Sequence, residues 1–364
     1  MLLINGVIIM VFYKTGLALA LLLASTSVSF ASVEKEADAS QQAAAPFHRY
    51  NLVRDEERPQ TLAKLANLST LKKTQTFLES LRASTPPASY DMRSVLINPA
   101  SKPPVTQNDI DTSIYPVYDQ GGLGSCTAQV AAGVLQYRQL LDQSLNSTAR
   151  PSYPVPSKLF IYYNTRSAAG DSVNQDTGAS VSDVALAVTN LGAPPETLWP
   201  YSDSATAKIN FTMKPTDACY SKALENVARG TSAVSIPRGS NVVKTFQELL
   251  SNNCPILIGV AIYSSFESAE ATKTGKVPIP NTSKETLFGG HCLMVVGYND
   301  KYAPGTFTVR NSWGSSYTVG DERRPIGNNG YYYIPYDYIA NPNLAFDFWT
   351  ITAYSGENRI VIPV

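Results

Sequence analysis

The order of apolar patterns along the chain predicts an α+β fold, with helices and strands segregated into two lobes. Helix-period patterns come first in the main body, at residues 126–141, 181–191 and 242–250, and strand-like runs follow at 256–263, 293–298, 306–309, 331–334 and 346–353. Composition supplies the second observation. The chain has 364 residues, 44% of them hydrophobic and only 16% charged, and its 21 Tyr help raise the aromatic fraction to 10%. Such a chain can bury a large core and is the opposite of a disordered one. At roughly 100–200 residues per domain, its length allows one large domain or two lobes plus processed segments. The 29 Lys+Arg balance 29 Asp+Glu, so no basic surface argues for nucleic acid or an anionic membrane as partner. With 2 His in the whole chain, a His-rich metal site is excluded.

Residues 15–24 form a short apolar run, preceded by Lys14 and followed by Ser29-Phe30-Ala31, with small residues at the two positions a signal peptidase reads. A signal peptide over 1–31, cleaved after Ala31, is therefore expected, and Met10 gives it a more conventional start than Met1. The run is short for a bilayer span of roughly 20 residues, so no stable membrane anchor is expected. Localisation should be secreted or extracytoplasmic: extracellular, periplasmic or lysosome-like. From 32 to 88 the composition changes. Charges cluster at Arg54-Asp55-Glu56-Glu57-Arg58, and Leu62, Leu65, Leu68 and Leu71 recur before Phe77, Leu78 and Leu81. This spacing predicts an amphipathic helix or helix pair whose apolar stripe needs a surface to cover it. Ser84-Thr85-Pro86-Pro87 ends it as an extended linker. The body, 89–364, has no internal repeat or low-complexity tract.

The chemistry concentrates in three stretches. In Tyr118-Asp119-Gln120-Gly121-Gly122-Leu123-Gly124-Ser125-Cys126, a glycine-rich turn delivers a cysteine to a helix start, where free backbone N–H groups and the positive dipole end stabilise a thiolate. Taken alone, Cys126 reads better as a buried structural cysteine. Gly289-Gly290-His291-Cys292 and Arg310-Asn311-Ser312-Trp313-Gly314 overturn that. An imidazole at a strand edge can take the thiol proton, and an amide on a neighbouring strand can hold the imidazole in its reactive orientation. Gln120 adds an amide donor for an oxyanion beside the Cys126 N–H. His48 lies in the charged N-terminal segment, which leaves His291 as the candidate base.

With these motifs, in this order, the chain resembles the papain-like (C1) cysteine peptidases, of a bacterial type made as a zymogen. The resemblance runs from Ser89-Tyr90-Asp91 through Pro116 to Gln120, the Cys126 turn, Trp199-Pro200-Tyr201, Gly290-His291, Asn311 to Gly314 and Gly330-Tyr331. It implies a mainly helical lobe and a β-barrel-like lobe with the active-site cleft between them. It implies Cys126 as nucleophile, His291 as base then acid, Asn311 as orienting amide, Gln120 as oxyanion donor and Trp313 as a lid over the Asn–His hydrogen bond. Gly178 and Ala179 match the backbone that receives an extended peptide, although an ordinary turn before the 181–191 helix fits them equally. Gly290 and Cys292 match the lining of the pocket for the second residue upstream of the scissile bond.

The sequence departs from the family pattern in places. Leu123 stands where many relatives carry a cysteine, Thr127 and Tyr317 replace tryptophans, and the N-terminal segment lacks the cathepsin-type helical signature. The separations of Cys126 from His291 and Asn311 exceed the roughly 130–150 residues of plant and lysosomal enzymes. Insertions are therefore expected near 143–157, 265–287 and 318–329. If Cys126 is a free nucleophile, three of the 4 Cys remain, and an exported protein would tend to pair two. Cys219 with Cys254 is the expected disulfide. No C-x-x-C spacing suggests zinc, and no metal or cofactor is expected. Four glycosylation sequons begin at Asn67, Asn146, Asn210 and Asn281. The expected function is a secreted cysteine endopeptidase, a monomer acting on peptides or proteins through a thioester acyl-enzyme, with residues 32–88 as an intramolecular inhibitor lying in or across the cleft. A catalytically silent peptide-binding protein of the same fold, or an acyltransferase using the same triad, are the alternatives.

Overall fold

The computed structural model describes residues 3–4, 7–8, 48–61, 78–79, 81, 85–97, 115–146, 152–227, 231–301, 305–319, 322–355 and 359–360. The expected signal run and its cleavage site, most of the Leu62 to Leu81 stripe and Asn67 lie outside these residues. The chain divides into two units, Met1–Phe30 and Ala31–Val364. The first contains a two-stranded antiparallel ladder, β1 (Leu3–Ile4) and β2 (Val7–Ile8).

In the second unit, a short strand β3 (Ser89–Asp91) and one helical turn, α1 (Ser94–Ile97), precede the long helix α2 (Cys126–Asn146). Then follow α3 (Lys158–Ala169), α4 (Val181–Leu191) and α5 (Asp217–Val227). Ser157 and Ser180 cap α3 and α4 by accepting the N–H groups of Phe160 and Asp183. The α3 and α5 helices are not among the predicted elements. In α3 the apolar periodicity is interrupted by Arg166, which is buried because its guanidinium donates to the carbonyls of Ser172, Val173, Gln175 and Phe211.

The sheet contains β4 (Thr231–Ser235), β5 (Ile256–Tyr263), β6 (Leu287–Asn299), β7 (Thr306–Arg310), β10 (Tyr331–Pro335), β11 (Ala345–Ser355) and β12 (Arg359–Ile360), in the order β10-β7-β6-β5-β11-β12. The β3 strand adds to β6, and β4 adds to β11. A separate antiparallel hairpin, β8 (Ser316–Val319) with β9 (Glu322–Pro325), overlaps the third expected insertion. Helix α6 (Val242–Ser251) precedes β5, α7 (Ala269–Thr274) lies within the second expected insertion, and α8 (Tyr336–Ala340) follows β10. The α+β architecture predicted from the sequence is the one observed.

The α2 helix is buried along most of its length and packs against β6, the contact that brings the two kinds of element together. Arg310, at the end of β7, is also buried and lies over the rings of Tyr115 and Tyr118, 4.4 and 4.2 Å from their centroids. It donates to the Pro116 carbonyl, fixing the segment that leads into Gln120. Gly133 inside α2 makes room for it: a Cβ there would sit 2.3 Å from Arg310 Nη1. The expected disulfide requires correction, because all four cysteines are free and buried. Cys219 lies in the first turn of α5 with its sulfur 3.3 Å from Thr216 Oγ1, and the Cys254 thiol donates to the Asn252 carbonyl at 3.5 Å, just before β5. The two thiols belong to different elements and already have local partners.

Candidate active site

Cys126 opens α2 from a tight turn in which Leu123 N–H donates to Gln120 O and Ser125 N–H to Leu123 O. A hydroxyl relay clamps this turn. Gln129 Nε2 donates to Ser125 Oγ at 3.2 Å, Ser125 Oγ lies 2.7 Å from Tyr201 Oη, and Tyr201 Oη donates to Gln120 O at 2.8 Å. Tyr201 is thereby the working member of the Trp199-Pro200-Tyr201 motif, a role that only its position in space reveals.

His291 lies on β6, paired with Val260 of β5, and Asn311 immediately follows β7. His291 Nε2 and Asn311 Oδ1 are 2.8 Å apart, and the same oxygen accepts the Ser312 N–H at 2.7 Å. With Nε2–H donated to the amide oxygen, Nδ1 is left bearing the lone pair. It is buried and has no hydrogen-bond partner among the described residues. Trp313 stacks on His291 with centroids 5.0 Å apart and planes 30° from parallel. The Asn311 and Gln120 motifs are tied together: Gln120 N–H donates to Ser312 O at 2.8 Å, and Ser312 Oγ donates to Gln120 Oε1 at 2.7 Å. Two main-chain carbonyls, which can only accept, settle which end of the Gln120 amide is the donor. Nε2 faces the Leu123 carbonyl at 3.1 Å and the Arg49 carbonyl at 3.4 Å.

An N-terminal arm, residues 48–61, crosses this assembly. Its backbone forms parallel bridges on both sides, Asn51 with Gly290 and Leu52 with Ala179, through Leu52 N–H to Gly290 O at 3.1 Å and Val53 N–H to Ala179 O at 3.2 Å. Gly178, at φ +73°, permits the approach: a Cβ there would lie 1.7 Å from Asn51 O. Gly178, Ala179 and Gly290 therefore do receive an extended backbone, and it is the chain's own. Leu52 packs on Gly259 and Gly290, where the resemblance puts the pocket for the second residue upstream of the scissile bond. His48 stacks on Trp313 at 4.2 Å and 10°, and Tyr50 meets His291 edge-on at 5.9 Å. Arg49 Nη1 reaches Asp176 Oδ2 at 2.6 Å, and Arg58 pairs with Asp171 at 2.6 Å and with Asp183 at 3.0 Å. The arm that occupies the site is polar and aromatic, and nothing in its periodicity marks it.

Burial governs the charge states. It pushes the Cys126 thiol up to about 12, against the opposing pull of backbone N–H groups from Cys292 and Thr127. Burial likewise pushes His291 down to about 4, with the Asn311 hydrogen bond opposing, and His48 down to about 3, with His291 adding to the effect. Cys292 is fully buried and its thiol is pushed up by burial and by neighbouring Cys126. Its backbone N–H, rather than its side chain, is what reaches the nucleophile candidate. Among the described residues, no group of three or more His, Cys, Asp or Glu side chains could hold a metal ion.

A sequence profile of the papain family cysteine proteases matches residues 105–338. The chain belongs to that family. This papain-family chain is 32% identical over 236 residues to the uncharacterized peptidase C1-like protein L477 of Acanthamoeba polyphaga mimivirus, covering 64% of this chain and 68% of that one. Xylellain, a cysteine protease from Xylella fastidiosa, is 30% identical to it, with a TM-score of 0.58 over 76% of this chain and 89% of that one. The fold is shared with procathepsin B S9 from Trypanosoma congolense at 14% identity and a TM-score of 0.50, covering 76% of this chain and 80% of that one. The protein is a papain-family cysteine peptidase.

Proposed function

We propose that the peptidase is exported as a precursor, and that Cys126, His291, Asn311 and Gln120 carry its chemistry once the N-terminal arm has left. In this mechanism Cys126 Sγ adds to the carbonyl carbon of a peptide bond while His291 Nδ1 takes the thiol proton. The Gln120 Nε2–H and the Cys126 backbone N–H receive the negative charge that develops on the carbonyl oxygen. His291 returns the proton to the departing amine, which leaves a thioester that water then hydrolyses. Asn311 holds the imidazole by Nε2 so that Nδ1 faces the work. The lone-pair nitrogen of His291, opposite a 2.8 Å contact to Asn311, is the observation that carries this reading.

Inhibition by the arm rests on its course. Residues 49–53 lie between Ala179 and Gly290, with His48 and Tyr50 over Trp313 and His291, where an extended substrate would have to bind. Export rests on the apolar run at 15–24, and N-terminal sequencing of protein recovered outside the cytoplasm tests it. The decisive experiment compares intact protein, protein cut in the linker between Arg82 and Ser89, and the cut Cys126→Ala variant on a peptide library. The cut wild type should cleave peptides, the intact protein should be far slower, and the variant should be inactive. Cleavage by Cys126→Ala would remove it as nucleophile, and equal activity of cut and intact protein would remove the arm as inhibitor.

A further inference from the structure

Asp176 lies beside the nucleophile turn and does more than end a loop. Its carboxylate accepts the Gly124 N–H at 3.1 and 3.0 Å, two residues before Cys126, and the Tyr162 hydroxyl at 2.5 Å. Its side chain is 8% exposed, and the remaining partner is the Arg49 guanidinium at 2.6 Å, whose side chain is 38% exposed. Arg49 belongs to the arm, so this partner departs with it. The same residue's carbonyl oxygen stands 3.4 Å from Gln120 Nε2, the donor assigned above to the reacting carbonyl. One residue of the arm therefore offers its carbonyl toward Gln120 and its cationic side chain to Asp176. The arm runs against the direction of a substrate, because Leu52, beside Gly290, follows Arg49 in the chain; what carries over is the position, and a long cationic side chain on a residue whose carbonyl faces Gln120 can reach Asp176 from there.

Resting on the peptidase reading above, we infer that Asp176 is a specificity-determining residue that selects an arginine or lysine side chain on the residue supplying the scissile carbonyl. The fixed Gly124 and Tyr162 donors hold the carboxylate in place and leave one oxygen facing the cleft. With Arg49 gone, a substrate cation restores the charge-assisted hydrogen bond that the intact protein makes internally. Asp171 and Asp183, freed of Arg58 at the same moment, keep the surroundings acidic. Arginine should do better than lysine, because its planar fork can hold one carboxylate through two N–H groups.

The test uses the full chain activated by cutting the linker between Arg82 and Ser89. Three fluorogenic tripeptides, identical except for Arg, Lys or Gln before the scissile bond, are compared on wild type, Asp176→Asn and Asp176→Glu. A charge-assisted bond with one partly exposed partner predicts about a ten- to thirtyfold preference for Arg over Gln in kcat/KM, carried mainly by KM. Asp176→Asn keeps an acceptor for Gly124 and Tyr162 but removes a charge that acts on the Cys126 thiol, so all three substrates should shift by a common factor while the Arg-over-Gln preference collapses toward one. Asp176→Glu should restore part of it, and raising the salt should shrink it in wild type. A wild-type ratio near one, or a preference that survives in Asp176→Asn, overturns the inference with the peptidase reading intact. Should none of the peptides be hydrolysed, the peptidase reading fails and binding decides: tighter binding of a peptide argininal than of its glutaminal keeps Asp176 as a cation site. Equal or absent binding overturns it.

Discussion

Gln120 can stabilise a developing oxyanion only if its amide nitrogen, and not its oxygen, faces the cleft. The Leu123 and Arg49 carbonyls fix that choice, since they can only accept and lie 3.1 and 3.4 Å from Nε2, while the Ser312 hydroxyl donates to Oε1 at 2.7 Å and its carbonyl takes the Gln120 N–H. Gln120→Ala should lower kcat by roughly 10²–10³ with little change in KM, as expected for the loss of one transition-state donor. Gln120→Glu keeps an acceptor for Ser312 but removes the donor, so steady-state kinetics should show a comparable loss. An unchanged kcat in either variant would take Gln120 out of the proposed mechanism. At this scale the sequence was informative where a residue type is rare and its chemistry specific. A cysteine after a glycine-rich turn reads on its own as structural, and it is the His291 and Asn311 motifs downstream that make Cys126 a candidate nucleophile. It was silent on Ser312, Tyr201 and Asp176, because serines, tyrosines and aspartates abound in the chain and only proximity distinguishes these three.

Helices and strands with an uninterrupted period were legible: 181–191 and 256–263 are observed with the bounds their patterns predict. The β6 strand runs further than its apolar run, because Gly289 and Gly290 keep their backbone pairing with Ile262 and Ala261 without apolar side chains to advertise it. The arm escaped for a related reason, since main-chain hydrogen bonds to Ala179 and Gly290 seat residues 51–53 and carry no side-chain signature. Past the cleft, the arm meets the sheet through two carboxyl groups. Asp347, at φ 53° on β11, accepts the Asp55 N–H at 2.9 Å, and Asp55 also accepts the Trp349 indole N–H at 2.7 Å. Burial first, and then Asp55, raise Asp347 to about 7. A carboxyl raised in the folded state favours folding fully below its unfolded value near 3.9, and that contribution is lost as pH rises toward about 7. Asp347→Asn keeps an acceptor for the Asp55 N–H and tolerates the left-handed backbone, but it cannot ionise. Thermal unfolding of the intact chain should therefore find the variant more stable than wild type at pH 8, with the difference shrinking toward zero near pH 4. Because His48 and His291 are present in both proteins, their opposite response to acid cancels from the comparison. A difference that does not vary with pH would mean that Asp347 does not carry the charge assigned to it.

For the molecule as a whole, the proposed precursor is held inactive in two separable ways, by exclusion and by charge. The arm fills the space along Ala179 and Gly290 that a substrate would need, and its His48 and Tyr50 rings cover Trp313 and His291. Burial also raises the Cys126 thiol to about 12 and lowers the imidazole of His291, which Tyr50 of the arm meets edge-on, to about 4, so both groups are neutral near pH 7. A neutral thiol is a poor nucleophile even toward a reagent small enough to enter. Once the arm leaves, solvent returns and burial no longer dominates, while the backbone N–H groups of Cys292 and Thr127 and the α2 N-terminus still favour the thiolate. Iodoacetamide needs no substrate groove, so its rate with Cys126 reports access and ionisation without requiring turnover. At pH 7 that rate should be about a hundredfold or more higher in protein cut between Arg82 and Ser89 than in intact protein. Cys219, Cys254 and Cys292 are also buried and measure general loosening. Their labelling, followed by mass spectrometry in a Cys126→Ala background, should remain slow in both forms. Equal Cys126 rates before and after cutting would mean that the arm neither shields nor neutralises the thiol, whereas a parallel rise at all four cysteines would mean that cutting loosens the fold instead of uncovering the site.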